Sequence, residues 1–253
     1  HTLPQGGLTA SVGSGQPQPN LQPGLVLNYS LCTQGVFPTA APGTASGDRF
    51  LGEVELSAGP APFSGHAMAD GELLPKNQNT ALFSLLGTTY GGNGTTNFAA
   101  PDLRGRQAIH QGQGPTLSNH PEGEMVGAEQ VTMTAAQLPS HTHTLSPTGS
   151  TGATGGNQPV PNMGPSLAVN YIIATSGLDP FSQAASDGTF MGQLRLFAGN
   201  FAPTGFAFAE GQLLAIGDYP ELFGVLGTTY GGDGVSTFAL PDLRGRTPIG
   251  TGS

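Results

Sequence analysis

Tryptophan is absent from this 253-residue chain, cysteine and lysine occur once each, and charged residues make up only 9% of it. Each shortage excludes something. A lone cysteine, Cys32, cannot form an intrachain disulfide, so the fold must rest on a buried core. Lys76 and six arginines face sixteen acidic residues, for a formal net charge of −9. A groove that tracks phosphates needs clustered cations, which argues against nucleic acid as a partner. No apolar run approaches the roughly 20 residues that span a bilayer, so no membrane span is expected. Disordered chains combine low hydrophobicity with high net charge. Here apolar residues reach 36% while charge stays sparse, which favours a packed chain.

What is plentiful is glycine (41) and proline (22), with no collagen-like triplet period. Helices therefore cannot dominate, and the expected class is mainly β with short helices, an α+β arrangement. The sequence begins at His1 rather than a methionine, and its few lysines suit a secreted protein whose leader has been removed.

Self-comparison gives the organisation. GTTYGGNGTTNFAAPDLRGR (87–106) and GTTYGGDGVSTFALPDLRGR (227–246) agree at fifteen of twenty positions, at a constant offset of 140. The match extends upstream, pairing Gly52 with Gly192 and Gly71 with Gly211. A second match, PNLQPGLVLNYSLCTQG from Pro19 and PNMGPSLAVNYIIATSG from Pro161, runs at offset 142. It aligns Cys32 with Ala174, which marks the thiol as a small buried filler, and aligns His1-Thr2-Leu3 with His143-Thr144-Leu145. Read in the order front half then back half, residues 50–180 form one complete unit. Residues 1–38 are then a second back half and 190–253 a second front half, so one unit is split between the termini. Segments 39–49 and 181–189, rich in Ala, Gly, Ser and Asp, read as linkers.

Within the front halves, LGEVELSAG and MGQLRLFAG alternate as half-buried strands. HAMADGELL and FAFAEGQLL predict two short strands about a tight turn. NQNTALFSLLG and GDYPELFGVLG predict one amphipathic helix each, capped by Asn77 or Asn79 and by Asp218, with Gly87 and Gly227 at the αL position after the last turn. The glycine loop that follows lacks the lysine of a P-loop and its strand–loop–helix setting. In PDLRGR, Asp102 with Arg104 and Arg106, and Asp242 with Arg244 and Arg246, read as structural clamps between arginine forks and a carboxylate. In the back half, Thr134 caps a short helix over AAQL, a Gly/Ser/Thr/Pro tract spans 146–161, and LVLNYSLC and LAVNYIIA predict buried strands. No nucleophile–base pair, zinc motif or carboxylate pair stands out. The nearest candidates, Asp70 and Glu72 near His66, become Glu210, Gln212 and Phe206 in the repeat. No enzyme is expected.

The combination of GELLP, ALFSLLGTTYGGNGTTNFAAPDLRGR, QLPSHTHT and PSLAVNYIIATSG resembles the phage tail-collar domain family, including its microcystin-dependent-protein-like members. The resemblance implies receptor-binding or fibre-tip modules, commonly trimeric and without catalytic activity. It also implies a metal ion on a trimer axis held by a His-x-His pair, here His141 and His143; no other cofactor is implied.

The split unit predicts assembly. Orphaned apolar strands at both ends would be buried if residues 1–38 of one subunit completed the C-terminal half of the next, giving a head-to-tail extracellular filament. Its interface would comprise Leu25, Leu27, Tyr29, Leu31 and Val36 against Leu194, Leu196, Phe206, Phe208 and Phe238. The other reading is a tail-fibre or injection-system tip that binds a cell-surface glycan through the 146–161 tract.

Overall fold

The computed structural model describes residues 2–3, 15–39, 49–145, 149–181 and 188–250. His1 and most of both linkers lie outside these residues. The chain forms two compact units, one of residues 1–24 with 126–165 and a larger one of residues 25–125 with 166–253.

In the larger unit each strand comes from an apolar or alternating run. The first repeat supplies β1 (Asn28–Cys32), β2 (Glu53–Ser57), β3 (His66–Met68), β4 (Leu73–Pro75), α1 (Thr80–Leu86), β5 (Asn97–Ala99) and β6 (Gln107–His110). The second supplies β7 (Ser166–Ala174), β8 (Leu194–Phe197), β9 (Phe206–Phe208), β10 (Leu213–Ala215), α2 (Pro220–Leu226) and β11 (Thr237–Ala239). β1 lies between β2 and β3, antiparallel to both. β7 lies in the same way between β8 and β9. The repeats join where β2 meets β8 antiparallel, Val54 opposite Leu196 and Glu53 opposite Phe197. That register is centred on Glu55 and Arg195, which are equivalents at offset 140, so the repeats meet about a local two-fold.

This pairing corrects the expected phase. Asn28–Cys32 completes the front half that follows it, residues 53–68, rather than residues 190–253. Ser166–Ala174 likewise serves the front half after it. Neither repeat is split, because each opens with its own buried strand. The anticipated interface residues are correspondingly dispersed. Leu31 is buried among Val54, Leu74, Leu82 and Phe98 in its own chain, and Phe238 among Ile173, Leu222 and Leu240. Phe206 and Phe208 pack partly buried against Phe50, Ile172 and Phe197. Val36 N–H donates to Arg49 O at 2.9 Å, Tyr29 and Leu196 are half-buried, and Leu25, Leu27 and Leu194 remain exposed. Burying these strands at about 25 cal/mol per Å² of apolar area stabilises the chain that carries them.

The tight hairpin also gives way to a crossover. β3 pairs with β1, whereas β4 pairs with β5, so Asp70-Gly71 carries the chain from one sheet to another; β9 and β10 diverge likewise. α1 buries Leu82, Leu85 and Leu86, and α2 buries Leu222. Asn79 precedes α1, but its amide donates back to Pro75 O at 3.0 Å instead of capping. Tyr219, not Asp218, precedes α2, where Pro220 starts the first turn. Gly87 and Gly227 end the helices at φ 55° and 56° with ψ of −132° and −141°, outside the αL well and accessible only to glycine.

The smaller unit is held by short pairings. Gln18–Pro19 runs antiparallel to Gln130–Val131, and Asn20 Nδ2 donates to Ala128 O and Met163 O. Thr2–Leu3 runs parallel to Thr144–Leu145, so segments equivalent in the repeat pair with each other in register. Over Ala135–Gln137 the expected short helix forms as a single 3₁₀ turn, its start fixed by the Thr134 N–H donating to Gln137 Oε1 at 2.8 Å.

Candidate functional site

The two PDLRGR segments adopt one geometry twice. Asp102 follows β5 and receives a bidentate fork, Arg104 Nε to Oδ1 at 2.8 Å and a terminal nitrogen to Oδ2 at 3.0 Å. Arg106 crosses behind, donating to the carbonyls of Asp102 and Arg104. Asp242, Arg244 and Arg246 reproduce this at 2.9, 3.0, 3.2 and 3.3 Å. The Arg104 guanidinium holds the Asp102 carboxyl below the usual carboxylate range, and Arg244 does the same for Asp242. Both aspartates are thus ionised and engaged.

The glycine loops are equally self-contained. Asn93 Oδ1 accepts the N–H groups of Thr95, Thr96 and Asn97, and Asp233 Oδ1 those of Val235, Ser236 and Thr237. These six amides are thereby taken up inside the loops. Hydrogen bonds from Ser236 and these amides lower the Asp233 pKa. A side chain at Gly92 or Gly232 would meet the α-carbon of Phe98 or Phe238 at 2.4 Å, which explains the glycine there.

Against family models, residues 52–108 and 192–248 each match the Phage Tail Collar Domain. The chain carries the tail collar domain twice. Both matches begin after the β1 or β7 strand that completes the corresponding sheet. No curated protein and no solved structure matches the chain. The collar domain is a structural family of oligomeric tail-fibre proteins, with a phage-associated or extracellular setting. No helix among the described residues is long and apolar enough to cross a membrane.

His141 and His143 are brought together in the smaller unit, ring centroids 5.2 Å apart and nearly perpendicular. His141 Nδ1 lies 2.9 Å from Pro139 O, which orients the ring and leaves Nε2 available. His143 N–H is fixed by Thr151 Oγ1 at 3.0 Å. Among the described residues no group of three or more His, Cys, Asp or Glu side chains converges, and the two imidazoles stand as a pair. Two imidazoles alone are fewer ligands than a protein metal site ordinarily uses.

Sequence reasoning passed over two polar groups, Glu122 and Glu53, and reads a third, His110, as structural. Glu122 accepts from Tyr90 O–H and Asn170 Nδ2, each at 3.1 Å, and burial pushes its pKa up to about 7. His110 is fully buried; its Nδ1 accepts the Tyr171 N–H at 3.1 Å, and burial pushes its pKa down to about 4. Glu53 is buried where the collar domains join, 3.3 Å from Arg195 and accepting the Phe50 N–H at 3.0 Å. Burial raises its pKa and Arg195 opposes the rise. Glu53 and Arg195 are equivalent to Gln193 and Glu55, so this ion pair exists on one side of the local two-fold only. That asymmetry was the available signal. Cys32 is buried beside Gln34 O, and burial raises its pKa to about 11, which makes it the inert filler expected.

Proposed function

We propose that the chain is a non-enzymatic, extracellular structural protein of tail-fibre type that works as an assembly of copies. In this reading it meets bacterial surface glycans through residues 149–161 of its smaller unit. The observation that carries the reading is the duplicated collar domain, whose charged motifs and loop amides are spent internally. Recognition then falls to the other unit, where 149–161 are largely exposed and rich in Gly, Thr and Pro. Such amides and hydroxyls hydrogen-bond sugars without needing net charge. The test is adsorption of the purified chain to bacterial cells. Binding should fall at least tenfold when surface sugars are oxidised with periodate, or when 149–158 is replaced by a Gly-Ser linker. Equal adsorption after both changes would refute the glycan reading.

A metal belongs to the same proposal: His141 and His143 would hold it together with the same pair from other copies, and it would cross-link the assembly. Metal analysis and light scattering before and after chelation check this. His141→Ala should release the metal and lower the assembly size. A head-to-tail filament remains compatible only in altered form. β1 has both edges paired in its own chain, so a neighbour must engage residues that precede it.

A further inference from the structure

The local two-fold provides two equivalent places for one strand, and the chain fills one of them. β6 leaves the first collar domain and lies parallel to the start of β7, with Ala108, Ile109 and His110 opposite Leu167, Ala168 and Val169. All six residues are at least 98% buried. Ala168 is also held from its other side, by Gly123 N–H to Ala168 O at 2.8 Å and Ala168 N–H to Glu124 O at 2.9 Å. The repeat offsets carry Leu167–Val169 onto Leu25–Leu27, and Ala108–His110 onto Pro248–Gly250. There the same chemistry stands open. Leu25 is 84% exposed, Val26 95% and Ile249 91%. Among the described residues no strand pairs with either segment.

Pro248 has no N–H to give a strand ladder, but its position makes that loss harmless. In the filled site Gln111 N–H donates to Val169 O, whereas His110 N–H turns away to Arg246 O, both at 3.2 Å. Amides alternate in direction along a strand, so Ile109 faces β7 and Ala108 faces away. Pro248 takes the place of Ala108, and its missing N–H therefore falls on the outer edge, where proline is tolerated. Ile249 inherits the inward-donating position.

We infer that Leu25–Leu27 is an acceptor edge for Pro248–Gly250 of a second copy of this chain. The pairing is parallel, Leu25 with Pro248, Val26 with Ile249 and Leu27 with Gly250. It rests on the tail-fibre reading, in which copies assemble. The donor's base is anchored on its own chain: Thr247 Oγ1 donates to Ala108 O at 2.8 Å, and Arg246 O accepts from His110. Ile249 is thereby left at the surface, free to reach a neighbour. Each copy is both donor and acceptor, so the contact is strand addition that either closes reciprocally or propagates.

Cysteine pairing tests this in the full chain carrying Cys32→Ala, the residue found at the equivalent position 174. Val26→Cys and Ile249→Cys chains are mixed and mildly oxidised. The expected product is the mixed dimer, at least tenfold above either like-with-like dimer. Absence of that excess overturns the inference. The double variant, oxidised at high dilution, should stay uncross-linked; rapid internal closure would show that the chain seats its own segment, and would also overturn it. Sedimentation of Val26→Asp should show association weakened at least tenfold with an unchanged melting temperature, and unaltered association counts against the edge. Cell adsorption separates this inference from the reading beneath it. A missing mixed dimer with adsorption intact defeats only the acceptor edge. A mixed dimer with no adsorption defeats only the glycan role.

Discussion

The two collar domains share a fold, a clamp and a glycine loop, yet they are covered unequally. In the first, Tyr90 is half-buried and bonded to Glu122, brought in by the stretch after β6. In the second, Tyr230 is about half exposed. The start of β7 is enclosed by neighbouring chain on both sides, whereas its counterpart at Leu25–Leu27 is open. Duplication thus preserves what holds each domain together, and divergence falls on what surrounds it. The shared parts should respond alike to substitution, and the unshared parts differently.

The largest effect should be common to both. Phe98→Ala and Phe238→Ala remove fully buried rings at equivalent positions. Each should cost about 3–5 kcal/mol by denaturant unfolding; a several-fold difference would show that the domains are not equivalent scaffolds. Next comes a pH effect confined to the first domain. The Glu122 pKa is raised to about 7 in the fold, so the folded state holds a proton that the unfolded chain releases above about pH 4.5. Its stabilising contribution is full below pH 4.5 and is lost as pH rises to 7. Across that interval the Glu122 contribution should fall by up to about 3 kcal/mol. Buried His110, its pKa lowered to about 4, opposes it by growing more favourable as pH rises. The difference between the native chain and Glu122→Gln isolates the Glu122 slope.

How far the sequence discloses this structure depends on the feature. Strand alternation, the two helices, the buried Cys32 and the Asp–Arg clamps were all legible, because they follow from local periodicity or from exact repetition. Phase was not. A repeat of front and back halves can be cut at either junction, and the order front-then-back made residues 1–38 and 190–253 look orphaned. Only the pairing of Asn28–Cys32 with Glu53–Ser57 fixes the cut. Glu122 escaped notice because its partners, Tyr90 and Asn170, are 32 and 48 residues away. The His141–His143 pair was legible as a juxtaposition, because two positions apart on one segment is a local spacing.

Smaller effects sharpen the comparison further. Gly92→Ala and Gly232→Ala each place a methyl against backbone at 2.4 Å and at positive φ, at a cost of about 1–3 kcal/mol. Thermal melts should rank them together. Tyr90→Phe should cost about 1 kcal/mol through its lost hydrogen bond, and Tyr230→Phe less than about 0.5 kcal/mol. Equal losses would mean that Glu122 does not distinguish the domains.

The central claim is that each collar domain is completed by the strand preceding it in its own chain. Hydrogen exchange on the dilute monomer tests it most directly, by comparing the amides of Ser30–Cys32 with those of Asn170–Ile172. Strong and similar protection of both sets is expected. Rapid exchange of Ser30–Cys32 that slows only as copies associate would contradict it, and would return that strand to a neighbouring molecule.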